Sequence, residues 1–245
     1  MSAPVLNIAG YRFVPLDGLP ALRLRLFNAA QALGLLGTVL LASEGLNLCL
    51  AGAPAGIATW LALLRADPRF ADLATQHSRS ASQPFQRLKV KIKREIIRMD
   101  QPAIAPVAGR APAVDAPTLA RWLHQGADDA GRPLKLLDTR NDFEVQAGAF
   151  DGALDWRLRK FSDFPAALAA HRDELEGHTV VSYCTGGIRC EKAALVMQAL
   201  GLAHSYQLDG GILKYFEATA GLAPGWHGRC FVFDERAGLD TALAA

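Results

Sequence analysis

The run Val180-Val181-Ser182-Tyr183-Cys184-Thr185-Gly186-Gly187-Ile188-Arg189-Cys190 combines a thiol, a hydroxyl, a guanidinium and a second thiol within seven residues. It opens as a short β-branched, apolar stretch, the signature of a buried strand. Gly186 and Gly187 then let the backbone curl with its N–H groups turned inward. From Arg189 the apolar spacing becomes helical, with Cys190, Ala194, Met197 and Gly201 on one stripe. Cys184 is therefore expected at a strand end, in a tight loop leading into a helix N-terminus. Inward N–H groups, the helix dipole and a nearby guanidinium each favour a thiolate. Together they lower a thiol pKa from its usual value of about 8.5 and make the sulfur nucleophilic at neutral pH.

Four residues, Thr185 to Ile188, separate Cys184 from Arg189. That cradle is one residue shorter than the one with which cysteine phosphatases wrap a phosphate, and it fits sulfur or redox chemistry better. Arg189 is expected to hold an anion in the loop, with pairing to a carboxylate as the alternative. Thr185 can offer its hydroxyl to that anion or to the loop backbone. Cys190 either resolves a disulfide or persulfide on Cys184 or simply packs on its helix.

The flanking elements that must position this loop alternate strand and helix. Leu134–Leu137 reads as a strand running into Asp138-Thr139-Arg140, and Asn141 caps a short helix in which Arg140 and Glu144 could pair one turn apart. Helices over 118–124 and 164–175, the strand at Val180, the helix after Cys184, a strand over 204–208 and a helix over 212–220 complete the pattern. Such alternation implies a parallel sheet covered on both faces, with ligands beyond the C-terminal strand ends. Asp138 and Arg140 fall there and are expected to hold the loop from the neighbouring strand.

The first third reads strand–helix–strand–strand–helix–strand, a ferredoxin-like (βαββαβ) α+β sandwich. Its last strand is Arg87-Leu88-Lys89-Val90-Lys91-Ile92-Lys93, basic and apolar residues alternating with period two. Arg87, Lys89, Lys91 and Lys93 share one face and Arg94 follows. Unneutralised like charges repel, so this face is either solvated or matched to a polyanion such as a phosphate backbone. Glu44-Gly45-Leu46-Asn47 reads as a hairpin turn. The proline-rich stretch 99–117 reads as a linker, giving units over 1–98 and 118–223 and a short tail, 224–245.

Of 245 residues, 51% are hydrophobic and 20% charged, which supports packed cores and excludes a disordered chain. The formal net charge of +2 means that any nucleic-acid site must be a local patch. Four irregularly spaced cysteines, with no Cys-x-x-Cys pair and no histidine at ligand spacing, argue against a disulfide framework and a metal site. No secretory leader or membrane span is legible, so a reduced, cytoplasmic protein is expected.

Cys-Thr-Gly-Gly-Ile-Arg-Cys-Glu-Lys-Ala at 184–193 resembles the active loop of rhodanese-fold proteins, and more narrowly that of bacterial tRNA uridine hydroxylases. Asp138-Thr139-Arg140 with Glu144, the turn Gly148–Ala153 and Leu208-Asp209-Gly210-Gly211 are similar to rhodanese segments, although Ala149 stands where histidine is usual. Gly225–Asp234 is similar to the segment that follows the rhodanese domain in the hydroxylases. Many members continue from there into a cysteine-rich extension, whereas the sequence here ends at Ala245. The resemblance implies a rhodanese-like catalytic domain preceded by a ferredoxin-like (acylphosphatase-like) domain. It also implies oxygen-dependent formation of 5-hydroxyuridine at the wobble position, with tRNA (the anticodon region) rather than DNA as partner. Dioxygen is the co-substrate so implied, and no resident cofactor is evident. Glu44 and Asn47 match a family Glu-Gly-Ile-Asn turn, with Leu46 in place of isoleucine, which makes them candidate substrate contacts. The residues alone leave two other readings open, a persulfide or thiosulfate sulfurtransferase and a non-enzymatic RNA-binding redox module. The oligomeric state is not legible.

Overall fold

The computed structural model describes residues 5–245 as two compact units. One comprises the residues up to Ile97 with Phe233–Arg236 and Ala244–Ala245, and the other Arg98–Val232 with Ala237–Leu243.

In the first unit the order is β1 (Val5–Phe13), α1 (Leu19–Ala32), β2 (Leu36–Ala42), β3 (Gly45–Gly52), α2 (Pro54–Arg65), β4 (Gln76–Ser80) and β5 (Leu88–Ile92). The sheet order is β4-β1-β3-β2-β5, antiparallel except for the parallel pair β2–β5. Alternate residues of β2 and β3 (Val39, Leu41, Leu46, Leu48, Leu50) bury against Leu22, Leu26 and Ala30 of α1 and Ile57, Trp60 and Leu64 of α2. The Trp60 indole N–H, sealed in that core, donates to the Leu26 carbonyl at 3.2 Å.

One expectation is corrected here. The fourth strand of the βαββαβ unit is Gln76–Ser80, beside β1, and the basic strand is a fifth, added parallel to β2 at the opposite edge. Gln76-His77-Ser78-Arg79-Ser80 carries no apolar residue, so periodicity could not mark it. An edge strand needs no second buried face, and pairing with β1 alone holds it.

The second unit runs β6 (Ala113–Val114), α3 (Ala116–Gln125), β7 (Leu134–Asp138), α4 (Asp142–Val145), β8 (Gly148–Phe150), β9 (Leu154–Asp155), α5 (Phe164–His171), β10 (Thr179–Tyr183), α6 (Ile188–Ala199), β11 (Ser205–Leu208), α7 (Gly211–Ala218), β12 (Trp226–Gly228), β13 (Cys230–Phe231) and β14 (Gly238–Leu239). Strands β6-β11-β10-β7-β9 form a parallel sheet with β10 at its centre. Helix α3 packs on α7 and α5 on α6. Val181, Tyr183 and Leu208 meet Leu119, Trp122, Ile212 and Phe216 in one core cluster. The expected linker yields its last residues to this unit: Ala113–Val114 pairs with β11, and the Asp115 carboxylate caps α3 by accepting the Thr118 N–H at 2.8 Å. The segment after α7 is also built in, since β12 pairs antiparallel with β8 and β13 with β14.

Candidate active site

Cys184 is the first residue after the central strand β10, and Thr139 the first after its neighbour β7. The thiol therefore lies at the C-terminal edge of the sheet. Gly187 takes a left-handed backbone (φ 96°) and opens α6, and its N–H donates to the Cys184 sulfur at 3.2 Å. The Cys190 thiol, the Arg189 guanidinium and the N–H groups of Arg189 and Cys190 face that sulfur closely enough to act on its charge. Helix α7 closes the loop from the other side: the N–H groups of Ile212 and Leu213 donate to the carbonyls of Cys184 and Thr185 at 3.0 and 3.1 Å. At Gly211 a Cβ would stand 2.4 Å from the Cys184 carbonyl oxygen, so only glycine permits this approach.

The charge state follows from competing effects. Burial pushes the Cys184 thiol up, but the Cys190 thiol, the Arg189 guanidinium and the N–H groups of Arg189 and Cys190 outweigh it and bring the pKa down to about 5. Burial and the neighbouring Cys184 thiolate push Cys190 well above its ordinary value. The two sulfurs thus hold one negative charge between them at neutral pH, placed on Cys184 by the loop donors. Burial pushes Cys230 up to about 12, with no comparable set of donors.

Arg189 has a carboxylate partner, the alternative weighed against an anion-holding role. Its two terminal nitrogens lie 2.6 and 2.7 Å from the two oxygens of Glu144, a bidentate pair closed to solvent. Glu144 also accepts the Asn141 N–H at 3.0 Å, completing the N-terminal cap of α4. The guanidinium nonetheless lies close enough to Cys184 to favour its thiolate. The side-chain pairing of Glu144 with Arg140 expected from helical spacing does not form, although Arg140 donates to the Glu144 backbone carbonyl at 3.3 Å. Arg140 instead forks onto Asp138, with contacts of 2.9 and 2.6 Å, and donates to the Gly148 carbonyl at 2.7 Å. Both members of that pair are fully buried, and the guanidinium lies 5.7 Å from the Tyr183 ring centre. Asp138 and Arg140 thus stiffen the end of β7, beside the strand that feeds the loop. The Thr139 hydroxyl donates to the Tyr183 carbonyl at 2.9 Å and touches the Cys190 sulfur at 3.5 Å.

The sulfur expected to act as a nucleophile is enclosed in this structure: the Cys184 residue has 0% of its surface exposed. The donors that ionise the sulfur also enclose it, and the tail adjoins the loop. Thr185 meets the Phe231 carbonyl at 3.5 Å, and the Phe231 ring sits edge-on to Phe143 at 5.2 Å. Cys190 is equally buried on α6, whose first turns are covered on nearly every side rather than along one stripe.

The first unit's candidates fall on the sheet face that carries the basic residues. Arg87, Lys89, Lys91, Lys93 and Arg94 are exposed, and among the described residues none has a side-chain hydrogen bond or ion pair. Register puts Lys91, Leu40, Asn47 and Tyr11 in one row across β5, β2, β3 and β1. Glu44 and Asn47 both hold Ile96, just past the basic strand. The Glu44 carboxylate accepts its N–H at 2.7 Å, and the Asn47 amide donates to its carbonyl at 3.2 Å.

Among the described residues no cluster of three or more His, Cys, Asp and Glu side chains could hold a metal ion, and no helix is long and apolar enough to cross a membrane.

Two family models match, a UPF0176 acylphosphatase like domain over residues 5–96 and a Rhodanese-like domain over 119–218. A Bordetella petrii protein named tRNA uridine(34) hydroxylase is 64% identical over 98% of this chain and 94% of its own. A Variovorax paradoxus protein of the same name is 62% identical over 98% of this chain and 91% of its own. A third, from Bordetella avium, is 60% identical over 98% of each chain. At that identity over nearly its whole length, the chain belongs to the tRNA uridine(34) hydroxylase family.

Proposed function

We propose that this enzyme hydroxylates uridine 34 of tRNA at C5, with dioxygen as oxidant and the Cys184 thiolate as the group that activates the base. The family supports the reaction class. The observation that supports the residue is the sulfur at the end of β10, held by the Gly187 N–H at 3.2 Å and kept ionised against burial by Cys190 and Arg189. C5 of uridine is a weak nucleophile. A thiolate that adds to C6 forms an S–C6 bond and moves electron density to C5, where oxygen must arrive, and departure of the sulfur with loss of the C5 proton restores the ring. Arg189 favours the thiolate, Glu144 fixes Arg189, and the Asp138–Arg140 pair fixes the strand beneath. The enclosed sulfur is shielded from adventitious oxidants and alkylating agents. For uridine to reach it, the Thr185–Phe231 cover must part.

The basic strand is the proposed tRNA contact. Unneutralised side chains of Lys89, Lys91 and Lys93 offer charge to successive phosphates at low desolvation cost, and the Glu44 and Asn47 clamp on Ile96 keeps the strand exit fixed. A tRNA substrate puts the work in the cytoplasm, and the wobble position puts the contact in the anticodon region.

Mass spectrometry of tRNA nucleosides, from cells lacking the gene and complemented with wild type or Cys184→Ser, tests the reading. Wild type is expected to restore 5-hydroxyuridine and Cys184→Ser to leave it at background. Normal modification by Cys184→Ser would overturn the assignment. Trapping of a Cys184–RNA adduct in a competent reaction tests the C6 step.

A further inference from the structure

Beyond helping to ionise Cys184, Cys190 has no part in the scheme above, yet its position is unusual. It is the third residue of α6, and Thr139, whose hydroxyl donates to the carbonyl of Tyr183 just before Cys184, holds its sulfur beside that strand end, close enough for the two thiols to act on each other's charge. Both residues are fully buried, and the Thr139 hydroxyl backs the Cys190 sulfur at 3.5 Å. One sulfur carries a thiolate and the other a proton, the arrangement from which an S–S bond closes once an oxidant has removed two electrons.

The reaction needs such a source. Dioxygen accepts four electrons on its way to two oxygen atoms at the level of water. Converting C5–H to C5–OH releases only two of them. Two more electrons and two protons must arrive in each turnover.

We propose that Cys184 and Cys190 are the dithiol that supplies them, closing to a disulfide as the base is hydroxylated. The Cys190 proton and one proton from solvent leave in water with the second oxygen atom, so that uridine, dioxygen, one thiolate, one thiol and a proton give hydroxyuridine, water and one Cys184–Cys190 disulfide. Cys184 is free to close that bond after it has left C6. An external thiol then attacks the disulfide and resets the pair by exchange. The inference rests on the hydroxylase reading with dioxygen as oxidant. It gives Cys190 a reaction role in place of the packing role its helical position suggests. Cys230, the other buried thiol of this unit, is bonded to the Phe231 carbonyl at 3.8 Å and serves as an internal control.

The test uses the fully reduced, full-length enzyme, freed of added thiol and mixed with unmodified tRNA in air-equilibrated buffer. The expected yield is about one hydroxyuridine per enzyme, matched by loss of two free thiols and by a cross-linked Cys184–Cys190 peptide. Dithiothreitol is expected to restore repeated turnover. Cys190→Ala and Cys190→Ser, checked for native melting and for retained thiolate absorbance, are expected to lose the burst at least tenfold and to form no cross-link. Hydroxylation by wild type with both thiols intact, a full burst from a folded Cys190 variant, or a link to Cys230 would each overturn the proposal. A second arm treats the enzyme with diamide in the absence of tRNA. Closure of the Cys184–Cys190 bond there, with no hydroxyuridine from any preparation, removes the hydroxylase reading and this role with it. Hydroxyuridine formed by an enzyme whose two thiols diamide cannot link removes the couple alone.

Discussion

The two units handle charge in opposite ways. Around the thiol two ion pairs are buried and matched: Asp138 with Arg140, and Glu144 with Arg189. On the basic strand five cations lie in water with no side-chain partner among the described residues. The contrast follows from the task proposed for each. A site that must keep one sulfur ionised needs donors that do not move, and low-dielectric surroundings strengthen each fixed charge and dipole. A surface that must meet a flexible polyanion does better with solvated lysines, which lose little hydration until the phosphates arrive.

Breaking the buried side should give the largest effects. Glu144→Ala leaves the Arg189 guanidinium enclosed without its carboxylate and removes the cap acceptor of α4. The expected loss is about 3–5 kcal/mol of folding stability, read from denaturant melts. Arg140→Met should cost a similar amount by orphaning Asp138, and a loss below about 1 kcal/mol would show that the pair is not needed to hold β7.

The exposed side should respond in binding rather than stability. Replacing Lys89, Lys91 and Lys93 together by glutamate should leave the melting temperature nearly unchanged and weaken tRNA binding. The slope of log affinity against log salt should fall by about two to three units. Unchanged binding would reduce the strand to a solvated edge.

A smaller, more diagnostic effect is expected at the sulfur. With its folded pKa lowered to about 5, Cys184 should show thiolate absorbance at pH 7 that disappears as the pH falls through about 5. The sign extends to stability. Because the folded value lies below the unfolded one, the contribution is fully present above the unfolded pKa of about 8.5, declines as the pH falls, and is lost below about 5. Arg189→Met should raise the apparent pKa by about one unit or more. The last effect concerns access. Wild-type Cys184 should react slowly with iodoacetamide despite being ionised, and Phe231→Ala should speed that reaction without changing the pKa. Fast alkylation of the wild type would show that the cover is open in solution.

Much of the second unit was legible because its strands and helices announce themselves locally. The Val180 run, the glycines and the change to helical spacing placed a thiol at a strand end. Asn141, a cap residue, marked the start of α4. Helical spacing misled the pairing, since Arg140 and Glu144 lie one turn apart. Glu144 instead reaches Arg189, 45 residues away, and Arg140 turns back onto Asp138. A local rule describes what two residues can do, and a buried carboxylate takes whichever cation the packed sheet brings to it. In the first unit the basic alternation was plain, but the polar strand Gln76–Ser80 carries no apolar period and was missed.

The residue types alone determined that a cysteine followed by two glycines and an arginine would meet backbone donors at a helix start, because those constraints act within a few bonds. Only the tertiary structure decided how that charge is held: which carboxylate neutralises Arg189, that Thr139 links the Cys190 sulfur to the strand end before Cys184, and that the sulfur is enclosed. Those depend on which strands adjoin β10 and on where the tail crosses the loop. Such contacts between distant segments are chosen by the packing of whole layers and leave no periodic trace in the chain.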